Sequence, residues 1–136
     1  MALWLFKEEP GTYSFADLQR DKTVTWEGVK NALAQKHLRA VKKGDRVFFY
    51  HTGDEKAVVG IMEVTADPQP AANDATGKLV AVTVKPVRKL KNPVTLAAIK
   101  ADPAFAEWEL VRQSRLSVMP VSDAIWKAIE EMAKVE

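Results

Sequence analysis

The chain has 136 residues, 47% of them apolar, and this size suits one domain with a buried core. It carries 20 Lys and Arg against 18 Asp and Glu, and the resulting net charge of +2 neither requires nor excludes a nucleic-acid partner. It has no cysteine and two histidines. This excludes disulfide scaffolds, thiolate metal sites, cysteine nucleophiles and His-rich metal sites, so no metal or other cofactor is predicted.

The N-terminal stretch does not predict a secretory signal, and the apolar runs do not predict a membrane span. The apolar stretch at 1–6 lacks the basic region and the small-residue cleavage site of a secretory signal. No apolar run approaches the roughly 18–20 residues that span a bilayer. We therefore predict a soluble cytoplasmic protein that forms a single domain over residues 1–136 and has no membrane partner.

The first half of the chain predicts short strands and helices. Ser14 and, three residues later, Asp17 form a capping-box pattern that opens a helix. Apolar residues at helical spacing follow Gly28, with lysine and arginine on the opposite side. The predicted elements are a strand over 2–6, a helix to about Arg20, an extended segment over 24–26 and a basic helix from about Gly28 to Arg39.

The second half predicts more strands than helices. Two β-branched and aromatic runs joined by a Gly-Asp-Glu-Lys turn indicate a hairpin, and turn formers fill a loop over 66–77. The predicted elements are strands over 46–52, 57–65 and 78–90, a short helix over 95–100 capped by Thr95, a further helical turn over 103–109, an extended segment over 116–121, and a last helix capped by Ser122. Without repeating β–α units, this order indicates an α+β domain built on a small, mostly antiparallel β-barrel with flanking short helices.

Positive charge is clustered along the chain. Residues 30–46 hold six Lys or Arg and one acid, and residues 85–91 hold four basic residues and no acid, whereas 101–136 hold four basic and seven acidic residues. A basic helix near a basic strand end could bind phosphates, and the alternative is a solvated helix face. The candidate phosphate-binding residues are Lys30, Lys36, Arg39 and Arg88.

The four tryptophans differ in their sequence context. Trp4 lies among apolar strand residues and Trp126 lies on the apolar stripe of the last helix, so both are predicted to be core residues. Trp108 lies between two glutamates, and its role stays open. Trp26 ends an extended segment just before the basic helix, where its ring could stack on a base; the alternative is a lid that packs on the barrel end.

Catalytic patterns are weak in this sequence. It has no Gly-x-Ser-x-Gly elbow, no phosphate-binding Gly-rich loop and no dinucleotide fingerprint. In an extended chain the adjacent carboxylates of Glu8 and Glu9 point in opposite directions, which disfavours an acid–base pair. His51 ends an aromatic strand and is read either as a hydrogen-bonded structural histidine or as a residue at a pocket rim. No enzymatic activity is predicted.

Several motifs, taken in order, resemble one family. They span nearly the whole chain and include Lys43-Gly44-Asp45 and Val59-Gly60-Ile61. The others are Trp4-Leu5-Phe6-Lys7-Glu8-Glu9-Pro10, Tyr13-Ser14, Asp17-Leu18, Trp26-Glu27-Gly28-Val29-Lys30-Asn31, Val47-Phe48-Phe49-Tyr50-His51, Arg115-Leu116-Ser117-Val118 and Pro120-Val121. With these motifs the sequence is similar to EVE domains.

The resemblance implies a PUA-like fold related to YTH domains, and a module that reads modified bases, chiefly modified cytosine in DNA. The base would be flipped out of its helix into an aromatic pocket at the barrel end. Glu9 could accept from the exocyclic amine of the base, while Asn31 and Ser117 could bond the rest of its edge. The implied pocket residues are Trp26, Asn31, Lys7, Glu9, Pro10, Tyr50, His51, Thr52, Leu116, Ser117 and Val118.

Three alternatives stay open at this stage. RNA could supply a single-stranded modified base to the same pocket without the cost of flipping. An enzyme acting on a modified nucleotide could use Glu9 or His51 as acid or base. An interaction domain with a vestigial pocket would bind protein partners without nucleic acid.

Overall fold

The computed structural model describes residues 1–72 and 74–134, which form seven strands and five helices. A 3-10 turn at Pro103–Phe105 precedes the fourth helix. The strands are β1 Leu3–Glu8, β2 Val24–Trp26, β3 Arg46–His51, β4 Ala57–Val64, β5 Gln69–Pro70, β6 Val80–Thr95 and β7 Val118–Pro120. The helices are α1 Phe15–Asp21, α2 Ala32–Ala40, α3 Leu96–Lys100, α4 Glu109–Arg112 and α5 Asp123–Lys134.

The strands form one curled sheet in the order β2-β6-β4-β3-β1-β7, and β5 adds to β6. Only β1 and β3 run parallel; the other neighbours are antiparallel. Register shifts occur between Phe49 and Tyr50 and twice along the β4–β6 pair, and such bulges bend a sheet. The curled sheet is a half-barrel flanked by short helices, which confirms the predicted α+β, mostly antiparallel architecture.

Three predicted helix caps are confirmed. The Ser14 hydroxyl accepts from the Asp17 amide at 3.1 Å, and the Asp17 carboxylate accepts from the Ser14 amide at 2.9 Å. The Thr95 hydroxyl caps α3, accepting from the Ala98 amide at 3.1 Å. Ser122 caps α5 in the same way at 3.2 Å. These hydroxyls satisfy amides that have no partner inside their helices.

Three predicted boundaries are wrong. The basic helix begins at Ala32 rather than near Gly28, because the Asn31 side chain caps it by accepting from the Ala34 amide at 2.9 Å. Strand β6 continues to Thr95 rather than ending at Leu90, since bulged pairing with β4 tolerates prolines that cannot donate. The predicted loop over 66–77 contains β5, which pairs with the start of β6.

Three tryptophans, Trp4, Trp108 and Trp126, belong to the hydrophobic core. Trp4 and Trp126 are buried as predicted, and Trp126 stacks on Phe48 with ring centroids 3.7 Å apart. Trp108 is also buried, and its indole nitrogen donates to the Pro120 carbonyl at 3.1 Å.

Within the described residues no helix has the length and apolarity needed to cross a membrane.

The Lys43-Gly44-Asp45 motif has a structural role centred on a buried carboxylate. Asp45 is 3% exposed. It accepts from the Trp4 indole at 2.9 Å and from the backbone amides of Ala2 at 3.0 Å and Lys42 at 2.9 Å. A buried carboxylate needs such donors to offset its lost hydration. Asp45 therefore ties β1 to the turn that begins β3.

The Val59-Gly60-Ile61 motif is explained by a close ring contact. A Cβ atom on Gly60 would lie 2.5 Å from Cε1 and Cζ of Phe15, a side chain that is itself buried. We expect Gly60→Ala to lower the free energy of unfolding by about 1–3 kcal/mol, the usual cost of overpacking a core. Urea unfolding measures the change.

Gly11→Ala is the control for the Gly60 variant. A methyl group on Gly11 would have a Glu9 carboxylate oxygen as its nearest neighbour, at 3.6 Å, which is an ordinary contact. We expect the control to change stability by less than about 0.5 kcal/mol, as is usual at surfaces. Equal changes in the two variants would contradict the packing explanation.

Candidate functional site

The predicted pocket residues lie on two faces of the sheet. Phe6 pairs with Phe49, and Lys7 pairs with Tyr50, in the parallel register of β1 and β3. Side chains alternate along strands, so the two phenylalanines share one face while Lys7 and Tyr50 share the other. Trp26 packs on the phenylalanine face. The structure therefore does not bring Trp26 together with Lys7 and Tyr50 in one pocket.

Trp26 is packed into the core. Its ring centroid lies 5.5 Å from that of Phe6 and 5.3 Å from that of Phe49, the latter in an edge-on contact. The residue is 5% exposed. The geometry matches the alternative of a ring packed on the barrel end, and a base could stack on this ring only if its face became uncovered.

On the opposite face, a cavity of about 220 Å³ opens beside Lys7 and Tyr50. The Lys7 ammonium lies 5.6 Å from the Tyr50 ring centroid and donates to the Ser114 carbonyl at 3.0 Å. Thr52 also lines the cavity, and its amide donates to the Glu8 carbonyl at 2.9 Å. The full lining is Lys7, Tyr50, Thr52, Gly53, Lys56, Leu96, Lys100, Leu110 and Ser114.

A second depression of about 330 Å³ adjoins this cavity, because Ser114 lines both. It brings in two further predicted residues, Asn31 and Leu116, together with Arg112 and Arg115. Leu33 and Gln113 complete its lining. We call the two depressions together the basic cleft, with a lysine half lined by Lys7, Lys56 and Lys100 and an arginine half lined by Arg112 and Arg115.

Burial changes the acid–base properties of the lysine half. Desolvation lowers the pKa of the Lys7 ammonium below its usual value. Burial likewise raises the pKa of the Tyr50 phenol to about 12, so its hydroxyl stays protonated at neutral pH. A protonated phenol and an ammonium are both hydrogen-bond donors, and this half of the cleft therefore favours an acceptor or an anion.

A separate cavity of about 350 Å³ is lined in part by residues that directly follow Trp26 in the chain. Glu27 and Lys30 line it from the segment after β2, and Asp74 lines it from the loop before β6. Gly28, Ala71 and Leu79 complete the lining, and we call this the loop cavity. Among the residues that the structure describes, none forms a hydrogen bond or ion pair with the Glu27 carboxylate.

The Asp74 carboxylate organises the loop on one side of this cavity. It accepts from the Leu79 amide at 2.7 Å, and from the amide and hydroxyl of Thr76 at 3.0 and 2.7 Å. These bonds hold the pKa of Asp74 down at about 2, so the group is ionised at neutral pH. Its oxygens are occupied by the loop, and Glu27 is therefore the better acceptor for a ligand.

Gln35 holds the other side of the loop cavity in place. It lies on α2, is 2% exposed, and its amide donates to the Val29 carbonyl at 2.6 Å. Its oxygen accepts from the Val80 amide of β6 at 3.0 Å. The segment between β2 and α2 is thereby fixed against β6. Sequence reasoning missed this residue, although a glutamine between the apolar helix positions Ala34 and Leu38 is a usable signal.

The remaining predicted pocket residues have structural contacts. Glu9 Oε1 accepts from the Gly11 amide at 3.2 Å, and Pro10 lies between these two residues. The Ser117 carbonyl accepts from the Lys7 amide at 2.9 Å, and Val118 is buried opposite Phe6. Glu9, Pro10, Ser117 and Val118 line neither the basic cleft nor the loop cavity.

His51 is fully engaged by its neighbours. Its Nε2 accepts from the Phe15 amide at 3.0 Å, so that nitrogen carries no proton. The proton is therefore on Nδ1, which donates to Glu55 at 2.7 Å. This arrangement matches the reading of a hydrogen-bonded structural histidine and leaves neither ring nitrogen available as an acid or base.

The four predicted phosphate-binding residues do not form one surface. Lys30 lines the loop cavity and Lys36 is exposed on α2. Arg39 donates to the Lys78 carbonyl at 2.9 Å, and Arg88 pairs with Glu130 of α5 at 2.6 Å. Of the five cations that line the basic cleft, only Lys7 was predicted as a site residue, because residues from β1, the β3–β4 turn, α3 and α4 meet there only in the tertiary structure.

Comparisons with known proteins agree with this architecture. Thymocyte nuclear protein 1 from Homo sapiens is 28% identical over 153 aligned positions, which cover 88% of this chain and 68% of that protein. The NMR structure of Rpa0253 from Rhodopseudomonas palustris has a TM-score of 0.93 and 41% identity, covering 98% of this chain and 93% of that one.

The crystal structure of human THYN1 in complex with DNA containing 5-methylcytosine has a TM-score of 0.89 and 26% identity. It covers all of this chain, and 99% of the human chain is matched. A model of the EVE domain matches residues 2–132, nearly the full length. The chain belongs to the EVE domain family.

Proposed function

We propose that this protein is a non-catalytic module that binds nucleic acid and reads a modified cytosine in DNA. The observation that carries the proposal is the loop cavity, whose wall begins directly after Trp26 in the chain. Glu27 and Lys30 both line it, and the Glu27 carboxylate has no partner among the residues that the structure describes. The family assignment supports it, since the similar human THYN1 has been crystallised with DNA containing 5-methylcytosine.

The cavity has suitable chemistry for a cytosine flipped out of its helix. Cytosine presents an N4 amine that donates hydrogen bonds, and a carboxylate such as that of Glu27 can accept one. Lys30 can donate to a base carbonyl or a nearby phosphate. Glu27 thus takes the role that the sequence assigned to Glu9, whose Oε1 accepts from the Gly11 amide in the structure.

Trp26 acts in this proposal as a positioning residue. Its ring is held between Phe6 and Phe49, and Glu27 and Gly28 of the cavity wall follow it directly in the chain. Flipping a base costs a few kcal/mol, so a cavity wall that is already fixed avoids a further ordering cost. The Gln35 contacts to Val29 and Val80 serve the same purpose.

The first experiment titrates labelled duplexes that differ at one cytosine by fluorescence anisotropy, with plain, methylated, hydroxymethylated and carboxylated forms at two salt concentrations. We expect one modified duplex to bind at least tenfold tighter, a difference of about 1.4 kcal/mol that persists at the higher salt. Equal binding of all duplexes would contradict base reading. A matched RNA strand in the same panel distinguishes DNA from RNA as the polymer.

Glu27→Ala tests which group reads the amine. Thymine carries the same C5 methyl as 5-methylcytosine but lacks the N4 amine, so the preference for 5-methylcytosine over thymine isolates that contact. We expect the variant to reduce this preference by about 1–3 kcal/mol. Since wild type and variant are compared on the same duplexes, the flipping cost cancels.

Glu9→Ala is the matched control for the amine contact. It removes the same charge at the carboxylate that the sequence had favoured. An unchanged preference in Glu27→Ala, or an equal loss in Glu9→Ala, would contradict the role of Glu27.

A further inference from the structure

The basic cleft is lined mainly by positive charge. Among the described residues, its two adjoining depressions are lined by five basic side chains and by no Asp or Glu. Carboxylates lie only at its margin: Glu9 beside Gly53, Glu107 beside Arg112, and Asp54 and Glu55 in a neighbouring depression. The five cations are Lys7, Lys56, Lys100, Arg112 and Arg115.

Four of these five cations have no carboxylate partner among the described residues, although several cations outside the cleft do have one. Arg20, Arg46, Lys85, Arg88 and Lys134 all lie within 4 Å of a carboxylate. In the cleft only Arg112 does, through the exposed Glu107 at 2.8 Å. Over the described ranges, no ion pair involves the other four. Clustered cations repel one another, and an anion placed among them removes that repulsion.

The lysine half also holds hydrogen-bond donors without an acceptor among the described residues. The Lys7 ammonium gives one proton to the Ser114 carbonyl and keeps two. The hydroxyls of Tyr50 and Thr52 have no hydrogen-bond partner among residues 1–72 and 74–134. Three ammonium groups and two hydroxyls around about 220 Å³ form a set of donors suited to phosphate oxygens.

Lys56, which lines the cleft, has a strained backbone conformation. Its φ of 46° lies in the left-handed region, which residues with a Cβ rarely adopt. Glycine would suit the turn better, so the backbone alone does not account for a lysine here. Residues held in such conformations cluster at binding sites, where the side chain has a use.

The arginine half and the loop cavity are linked through neighbouring residues of the segment before α2. Asn31 lines the arginine half and the adjacent Lys30 lines the loop cavity. We propose that the basic cleft binds phosphate groups of the nucleic-acid strand whose base enters the loop cavity. This inference rests on the proposed function, and it moves the main phosphate contacts from α2 and β6 to the lysines around Lys7.

The experiment uses an unmodified single-stranded DNA oligonucleotide, so that base reading does not contribute, and the double variant Lys56→Gly with Lys100→Ala. Anisotropy titrations at four salt concentrations give the slope of log K against log salt. Each lost phosphate contact reduces the slope by about 0.7 for single strands. We therefore expect the slope to fall by about 1.4 and the affinity at 0.1 M salt to fall about 25-fold.

Two lysines outside the cleft provide matched controls. Lys22 also has a positive φ, of 68°, at the end of α1, so Lys22→Gly repeats both the charge loss and the backbone change. Lys127 is exposed on α5, and Lys127→Ala repeats the helical substitution. We expect the double control variant, Lys22→Gly with Lys127→Ala, to change the slope of log K against log salt by less than about 0.5. All variants should keep a cooperative thermal transition, and the glycine variants should not melt earlier than wild type.

The outcomes separate this inference from the base-reading proposal. If the double variant in the cleft and the double control variant change the salt slope equally, or if neither changes it, the cleft is not a phosphate site. This holds even if modified duplexes are still preferred. If only the double variant in the cleft loses affinity and salt slope, the result supports the phosphate site, even if all duplexes of the cytosine panel bind alike. Repeating the titration with and without a terminal phosphate shows whether an internal phosphodiester or an end phosphate occupies the lysine half.

Discussion

Trp26→Ala should lower the free energy of unfolding by about 3–5 kcal/mol, the usual cost of truncating a buried aromatic residue. The indole is 5% exposed and contacts Phe6 and Phe49, so its removal leaves a cavity between β1, β2 and β3. The same change frees the wall that carries Glu27, and the preference for a modified cytosine should fall to about one. Urea unfolding and the duplex panel measure the two effects.

Trp26→Phe separates packing from stacking. A phenyl ring keeps most of the core contact, so we expect this variant to retain a modified-base preference within about threefold of wild type and to lose less stability than Trp26→Ala. A stable Trp26→Phe protein without any preference would show that the indole itself meets the base. That result would contradict its assignment as a positioning residue.

Asp45→Ala should be the second large effect, lowering the free energy of unfolding by about 3–5 kcal/mol. The variant leaves the buried Trp4 indole without its acceptor at 2.9 Å, and two backbone amides lose theirs. The buried indole bond to the carboxylate contributes about 1.5–3 kcal/mol, and the unsatisfied indole donor adds its desolvation penalty. The two amides are only part-buried and lose less, because water can replace their acceptor. Urea unfolding monitored by circular dichroism gives the value.

A double-mutant cycle with Trp4→Phe tests the origin of this loss. If the indole–carboxylate bond matters as the structure indicates, the two changes should couple by about 1 kcal/mol or more, as groups in direct contact do. Effects that add within about 0.5 kcal/mol would contradict this bond as the source of the stability.

The two predicted roles of Trp26 show how far local patterns reach. Its place at the end of an extended segment, before a helix, is readable from the sequence. Whether the ring faces a ligand or the core depends on Phe6 and Phe49, which come from other strands. Local pattern therefore located the residue, and long-range packing decided its environment.

His51 was predicted with its structural alternative, whereas the cap at Asn31 was not predicted. The Asn31 side chain accepts from the Ala34 amide only three residues away, so this cap is a local feature. The partners of His51 are four residues away at Glu55 and thirty-six away at Phe15. Only the folded sheet fixes both of its nitrogens.

The sequence by itself determined the α+β class, the caps at Ser14, Thr95 and Ser122, and the family motifs, because alternation, capping and turn chemistry act over a few neighbouring residues. It did not determine which cations and donors share a cavity. Lys7, Lys56, Lys100 and Arg115 are separated by up to 108 positions, and only the parallel pairing of β1 with β3 and the packing of α3 and α4 beside their ends bring them together. Strand alternation placed Trp26 on the face of the sheet opposite Lys7 and Tyr50, so the residues predicted for one pocket do not share a cavity.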